Sequence, residues 1–153
     1  MVSRKALRFA MAFGFSVLVS LTGTISLADN SLILIEGQEN LVNVQSSESN
    51  ILFLSISGND NGGFGSAWPS ISIFQGAPEP GRVLQTGLEN SSYLSVQGQD
   101  NLFSLSQNGL KNATSGIMSG SVNSAIISQV GNRNRVSFSQ IGTRNSLKIY
   151  QEP

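Results

Sequence analysis

The side chains of this 153-residue sequence that could do chemistry are carboxamides, hydroxyls and scattered carboxylates. There is no Cys and no His, which removes thiol and imidazole catalysis, the usual zinc ligands and any disulfide framework. Glycosidic cleavage needs clustered carboxylates, and the acids here stand apart along the chain. The run Gly58-Asn-Asp60-Asn-Gly-Gly offers oxygen ligands, but a single Asp is a poor calcium loop. The expectation is no enzyme, no metal and no cofactor. Amides can do something else. Each donates and accepts, so identical amides stacked at the strand spacing of roughly 4.8 Å can bond up and down without interruption. That chemistry needs a strictly repeated spacing.

The spacing is present. Gln129, Gln140 and Gln151 stand 11 apart, with Gly131 and Gly142 two residues after the first two and Asn134 and Asn145 five after. Stepping back by 11 gives Met118-Gly120-Asn123, Gln107-Gly109-Asn112, Val96-Gly98-Asn101 and Gln85-Gly87-Asn90. Upstream, Ile56-Gly58-Asn61, Gln45-Ser47-Asn50 and Ile35-Gly37-Asn40 continue the pattern, the last at a spacing of 10. The step from Ile56 to Gln85 is 29 residues, which accommodates one more unit at Phe74-Gly76, with Glu79 in the Asn place, and seven extra residues expected within Gly62 to Trp68. A repeat at fixed period means an array built from one small unit.

Between each Asn and the next unit, apolar and polar residues alternate, as in Val136 and Phe138 against Arg135, Ser137 and Ser139. Alternation by two, with a Gly-x-x-Asn turn per unit, reads as strand and tight turn rather than as an 11-residue helical coil. Two units make a rung. The expected fold is all-β, a β-solenoid with two strands per 22-residue rung, about five rungs and amyloid-like parallel stacking. Residues 22 apart should then overlie one another. One ladder is expected to hold Ile35, Ile56, Gln85, Gln107, Gln129 and Gln151, and the other Gln45, Phe74, Val96, Met118 and Gln140. The Asn columns become Asn40, Asn61, Asn90, Asn112, Asn134 and Asn50, Glu79, Asn101, Asn123, Asn145. Pairs such as Val42/Val44, Phe103/Leu105 and Val136/Phe138 should line a thin core. Trp68, the single Trp, is expected to pack over Ile51 and Phe53.

These elements stand behind a leader. Arg4, Lys5 and Arg8, the apolar run Phe9 to Leu21 and Ser26-Leu27-Ala28 read as a secretory signal over 1–28, followed by a short linker 29–34 and a repeat domain 35–153. Residues 29–128 carry eight acids and two bases, whereas 129–153 carry four bases (Arg133, Arg135, Arg144, Lys148) and one acid. An acidic body with a basic end can dock head to tail, and the four bases also allow a secondary contact with anionic matrix DNA. Neither end shows a capping helix, so the outer strands present unpaired backbone to a further copy.

The pattern Q-x-G-x-x-N, clearest at Gln85-Thr-Gly87-x-x-Asn90, Gln107-Asn-Gly109-x-x-Asn112, Gln129-Val-Gly131-x-x-Asn134 and Gln140-Ile-Gly142-x-x-Asn145, resembles the curlin family over essentially all of 35–151. The resemblance implies a secreted subunit of curli fibres at the bacterial surface, serving adhesion and biofilm matrix. It implies as partners further copies, related curlin subunits, and an export and assembly machinery with a dedicated outer-membrane channel. Matrix polysaccharide stands as a further partner, and no small-molecule substrate is implied. Curlins come as a major subunit and a minor nucleator. The basic last repeat is similar to the nucleator and its regularity to the major subunit. The reading from another class is a monomeric extracellular solenoid that binds polysaccharide.

Overall fold

The computed structural model describes residues 8–10, 30–47, 49–62 and 79–152. Among these, every regular element is a strand: β1 (Arg8–Ala10), β2 (Asn30–Glu36), β3 (Asn43–Ser46), β4 (Ile51–Asn59), β5 (Arg82–Leu88), β6 (Ser91–Gln99), β7 (Leu102–Leu110), β8 (Ala113–Ser121), β9 (Ser124–Asn132), β10 (Arg135–Thr143) and β11 (Ser146–Gln151). They form two parallel sheets. One runs β1-β2-β4-β6-β8-β10 and the other β11-β9-β7-β5-β3. Consecutive strands from β2 onward fall in opposite sheets, so the chain winds through five rungs as a β-solenoid.

Alternation decides the core. In β4 the even residues Leu52, Leu54 and Ile56 are buried and the odd ones are not. The same rule brings Val42, Val44, Val83, Leu94, Val96, Phe103, Leu105, Met118, Ala125, Ile127 and Val136 into one apolar cluster, with Phe138 and Ile149 packed against it. Facing residues compensate in size. Phe138 pairs in register with Gly116, and its ring fills the space a side chain at Gly116 would take. The core residues lie within 33–149, and β1 pairs with β2 alone, so the rungs from β2 to β11 are the folded body.

The register departs from the expected ladders. Ile35 pairs with Ile56, Ile56 with Val96, Val96 with Met118 and Met118 with Gln140. The other sheet stacks Ser46, Gln85, Gln107, Gln129 and Gln151. Ile35 and Ile56 therefore belong with Val96, not with Gln85. The cause is the edited unit. Phe74 lies outside the described residues, and β4 pairs directly with β6 and β3 with β5, leaving no place between them for a strand from that segment. Losing one strand inverts the parity of everything upstream. The Asn columns exchange in the same way, becoming Asn40, Asn61, Asn101, Asn123, Asn145 and Asn50, Asn90, Asn112, Asn134.

The insertion is also larger than the seven residues expected. Leu41 donates its N–H to Asn61 O and Asn43 donates to Gly81 O, so Gly62 and Gly81 take consecutive places beside Leu41 and Val42. A Cβ on Gly62 would stand 3.3 Å from Gly81 Cα. The chain leaves the rung at Gly62 and rejoins it at Gly81, and the step from Asn61 to Asn101 is 40 residues where the later steps are 22. Trp68 and the Glu79 column place fall in this excursion, with Trp68 outside the described residues. Phe53 stacks on Tyr93, with ring centroids 4.7 Å apart and planes within 5°.

Two smaller corrections concern the first rung. Gln45 is not in the Gln ladder. It pairs with Leu84 and takes a hydrogen bond from Arg82 Nη2 at 3.4 Å, while Ser46 occupies the inward place over Gln85. A strand cannot slip by one residue without turning every side chain to the other face. The missing residue of the short repeat is therefore absorbed in the turn after Ser46. Residues 30–34, expected as a linker, form most of β2.

Candidate functional site: amide ladders and open end rungs

The corners of the solenoid are closed by Gly-x-x-Asn turns, with Ser47 in the glycine place before Asn50, and the Asn side chain points inward. Asn40, Asn50, Asn61, Asn90, Asn101, Asn112 and Asn123 are all fully or almost fully buried. Their Oδ1 accepts the backbone N–H of the Asn one rung on, as in Asn101 Oδ1 from Asn123 N at 3.1 Å and Asn123 Oδ1 from Asn145 N at 3.0 Å. Except at Asn50, whose Nδ2 bonds Ser47 Oγ and Gln85 O, their Nδ2 donates forward to the carbonyl of the next turn's glycine. Asn40 bonds Gly58 O at 2.8 Å, Asn101 bonds Gly120 O at 3.0 Å and Asn123 bonds Gly142 O at 2.9 Å. These glycines lie at strongly positive φ. At Gly98 (φ 119°) a Cβ would overlap the Gly120 carbonyl, so no other residue fits between rungs.

The glutamine ladder runs through one sheet. Gln85 Nε2 donates to Gln107 Oε1, Gln107 to Gln129 and Gln129 to Gln151, each at 2.9 Å. Ser92 and Thr114 cross the core to bond Gln107 Oε1 at 2.7 Å and Gln129 Oε1 at 2.9 Å. Ser46 heads the ladder by donating to Gln85 Oε1 at 3.1 Å. Gln140 stands apart in the other sheet. Its Nε2 reaches Ser124 O at 3.0 Å, but its buried Oε1 has no hydrogen-bond partner, because the residue beneath it is Met118.

One column escaped the sequence reading. The residue before each column Asn holds a left-handed conformation: Glu39, Asp60, Asp100, Val122 and Arg144 at one corner, and Ser49, Glu89, Lys111 and Arg133 at the other, with φ between 53° and 64°. The signal was a constant offset from the Asn, but residue types there vary too much to draw the eye. Neighbours in a column meet across rungs, and Lys111 Nζ lies 3.4 Å from Glu89 Oε2. Arg133, Arg135 and Arg144 are exposed on the last two rungs, and Lys148 is exposed on β11, in the other sheet from Arg135. Among the described residues no group of acids is placed to hold a metal ion, and no helix is long and apolar enough to cross a membrane.

Residues 120–152 match the family model of the curlin associated repeat. No curated protein and no solved structure matches the chain. The matched segment contains Gly120, Asn123, Gln129, Gly131, Asn134, Gln140, Gly142, Asn145 and Gln151, the same column residues that recur in the rungs above it. The column residues of that segment recur in register through all five rungs, so the chain carries a repeat similar to that of the curlin family.

Proposed function

We propose that the chain is a structural subunit that assembles with further copies into curli-like amyloid fibres, exported to the cell surface and used in adhesion and biofilm matrix. The observation that carries this reading is the state of the two ends. The rung of β10 and β11 presents Gln140, Asn145 and Gln151 with no rung beyond it, and no described segment lies beyond β3, β10 or β11. Inside the body the ladders that end at Asn145 and Gln151 are continued rung by rung, which is what a further copy would do at the end. An uncovered parallel edge of this kind is a template for strand addition.

The partners implied are copies of this chain, related curlin subunits and the machinery that exports them, with matrix polysaccharide or DNA as secondary contacts. The exposed Arg133, Arg135 and Arg144 keep the minor-nucleator role as a second reading, since a basic end could dock a subunit of another sequence. The chain starting at residue 29 should bind thioflavin T with time and give a fibre reflection near 4.7–4.8 Å. A chain that stays monomeric for days at high concentration overturns the reading. If its seeds start growth of a major curlin faster than their own, the nucleator role is favoured.

A further inference from the structure

The two end rungs differ in charge, in room and in hydrogen-bond demand, and the differences match. At one corner the column runs Glu39, Asp60, Asp100, Val122, Arg144 from first rung to last. Its members are in register, since Asp60 N–H bonds Gln38 O, Asp100 N–H bonds Asn59 O and Arg144 N–H bonds Ser121 O. Three acids are thus stacked within the molecule and the only base of the column faces outward at the far end.

Room is distributed the same way. A Cβ on Gly37, Gly58, Gly98 or Gly120 would overlap the carbonyl of the next glycine, whereas at Gly142 the nearest atom is 3.8 Å away. The open space at Gly142 is where the next carbonyl of the column would sit. Asn145 Oδ1 accepts no hydrogen bond among the described residues, although Asn123 Oδ1 accepts the N–H of Asn145. Gln151 Nε2 donates to Arg135 O at 3.3 Å, which leaves its second N–H for a further acceptor.

We propose that the β10–β11 rung of one copy receives the β2–β3 rung of the next in a single register, with Gly37 over Gly142, Glu39 over Arg144, Asn40 over Asn145 and Ser46 over Gln151. This rests on the fibre reading above. In that register Arg144 meets Glu39 as Lys111 meets Glu89 within the chain. Asn145 Oδ1 receives the N–H of Asn40, and Asn145 Nδ2 can turn to the Gly37 carbonyl. Ser46 continues the glutamine ladder because a hydroxyl both accepts and donates. It accepts the N–H of Gln151 from the copy before and donates its own O–H to Gln85 Oε1 in its own chain. β1 occupies Leu32 to Leu34 on β2, the places that Ser137 to Ser139 of a second copy would take. The junction therefore forms on a chain from which the leader has been removed.

The test uses the chain from residue 29, which keeps every rung, with seeded elongation followed by thioflavin T at low salt. Arg144→Glu and Glu39→Arg should each slow elongation roughly two- to five-fold, the scale of one exposed ion pair, and combining them in one chain should restore the parent rate. Raised salt should narrow both single defects. Glu39→Arg should also raise the urea midpoint of the monomer, since it puts a base beside Asp60, so slower growth cannot be put down to a weaker fold. In addition, Leu32→Cys with Ser137→Cys in the same chain should form disulfide-linked ladders in oxidised fibres, while Ser137→Cys alone should not. Fibres that grow at the parent rate with either single charge reversal, or that cross-link through Ser137→Cys alone, overturn the register. A parent chain that forms no fibre overturns the fibre reading itself.

Discussion

Left-handed conformations outside glycine recur at every described corner, and Val122 is the least suited to one. Its β-branched side chain crowds the backbone at φ 60°, an arrangement that costs an L-residue about 1–2 kcal/mol. Val122→Asn should therefore raise stability by about 1 kcal/mol, read as a higher urea midpoint at unchanged slope. The ladder amides behave oppositely according to their neighbours. Gln107 bonds Gln85, Ser92, Ser91 O, Thr114 and Gln129. Gln107→Leu leaves several of these buried groups without partners and should cost roughly 3 kcal/mol or more. Gln140→Met removes an oxygen that has no partner and gives up one bond, from Nε2 to Ser124 O, so it should cost only about 1 kcal/mol. Equal losses for the two would contradict the ladder assignment.

At the scale of elements, rungs are held by close backbone approach at the turns and by complementary volumes inside. Gly120→Ala would force a methyl into the Gly142 carbonyl, whereas Gly142→Ala meets open space and bears only backbone strain of about 1–2 kcal/mol. The first should unfold the C-terminal rungs and the second should not, as hydrogen exchange of β10 and β11 amides will report. Gly116→Ala should also destabilise, because the Phe138 ring already fills that space. The excursion 63–80 is a different kind of element. Gly62 and Gly81 are adjacent, so joining them directly makes a regular 22-residue step and removes a loop-closure cost. The shortened chain should keep its β circular dichroism. Loss of that signal would mean that the excursion supports the rungs.

At the scale of the whole molecule, stability and assembly draw on the same groups. In the proposed fibre, each added rung lets amides at the end bond as the buried ones do, so that assembly continues the fold. Replacing Gln107 and Asn112 together by Ala should slow fibre growth more than Ser115→Ala with Ser137→Ala, because Gln107 and Asn112 lie in ladders and the two serines face outward on β8 and β10. Equal elongation rates for the two double variants would show that the ladders do not limit assembly.

The sequence by itself determined the strands, the turns and the solenoid. A period of 11 with alternation by two leaves little choice when Asn and Gly recur at fixed offsets, and the inward residues from Val42 to Ile149 could be read from it directly. It also placed Asn at a fixed offset in the regular units, with Gln at another in many of them. Which amide lies over which was decided by the tertiary structure. Counting along the chain cannot tell an inserted strand from an excursion, and one strand more or fewer exchanges the two sheets for everything upstream. Gln45 lost its ladder place to Ser46 for a related reason, since a turn can absorb a missing residue and a buried strand cannot. The corner column that sets Arg144 at one end and Glu39 at the other became visible only when rungs were stacked, because its members share a position in space and not a residue type.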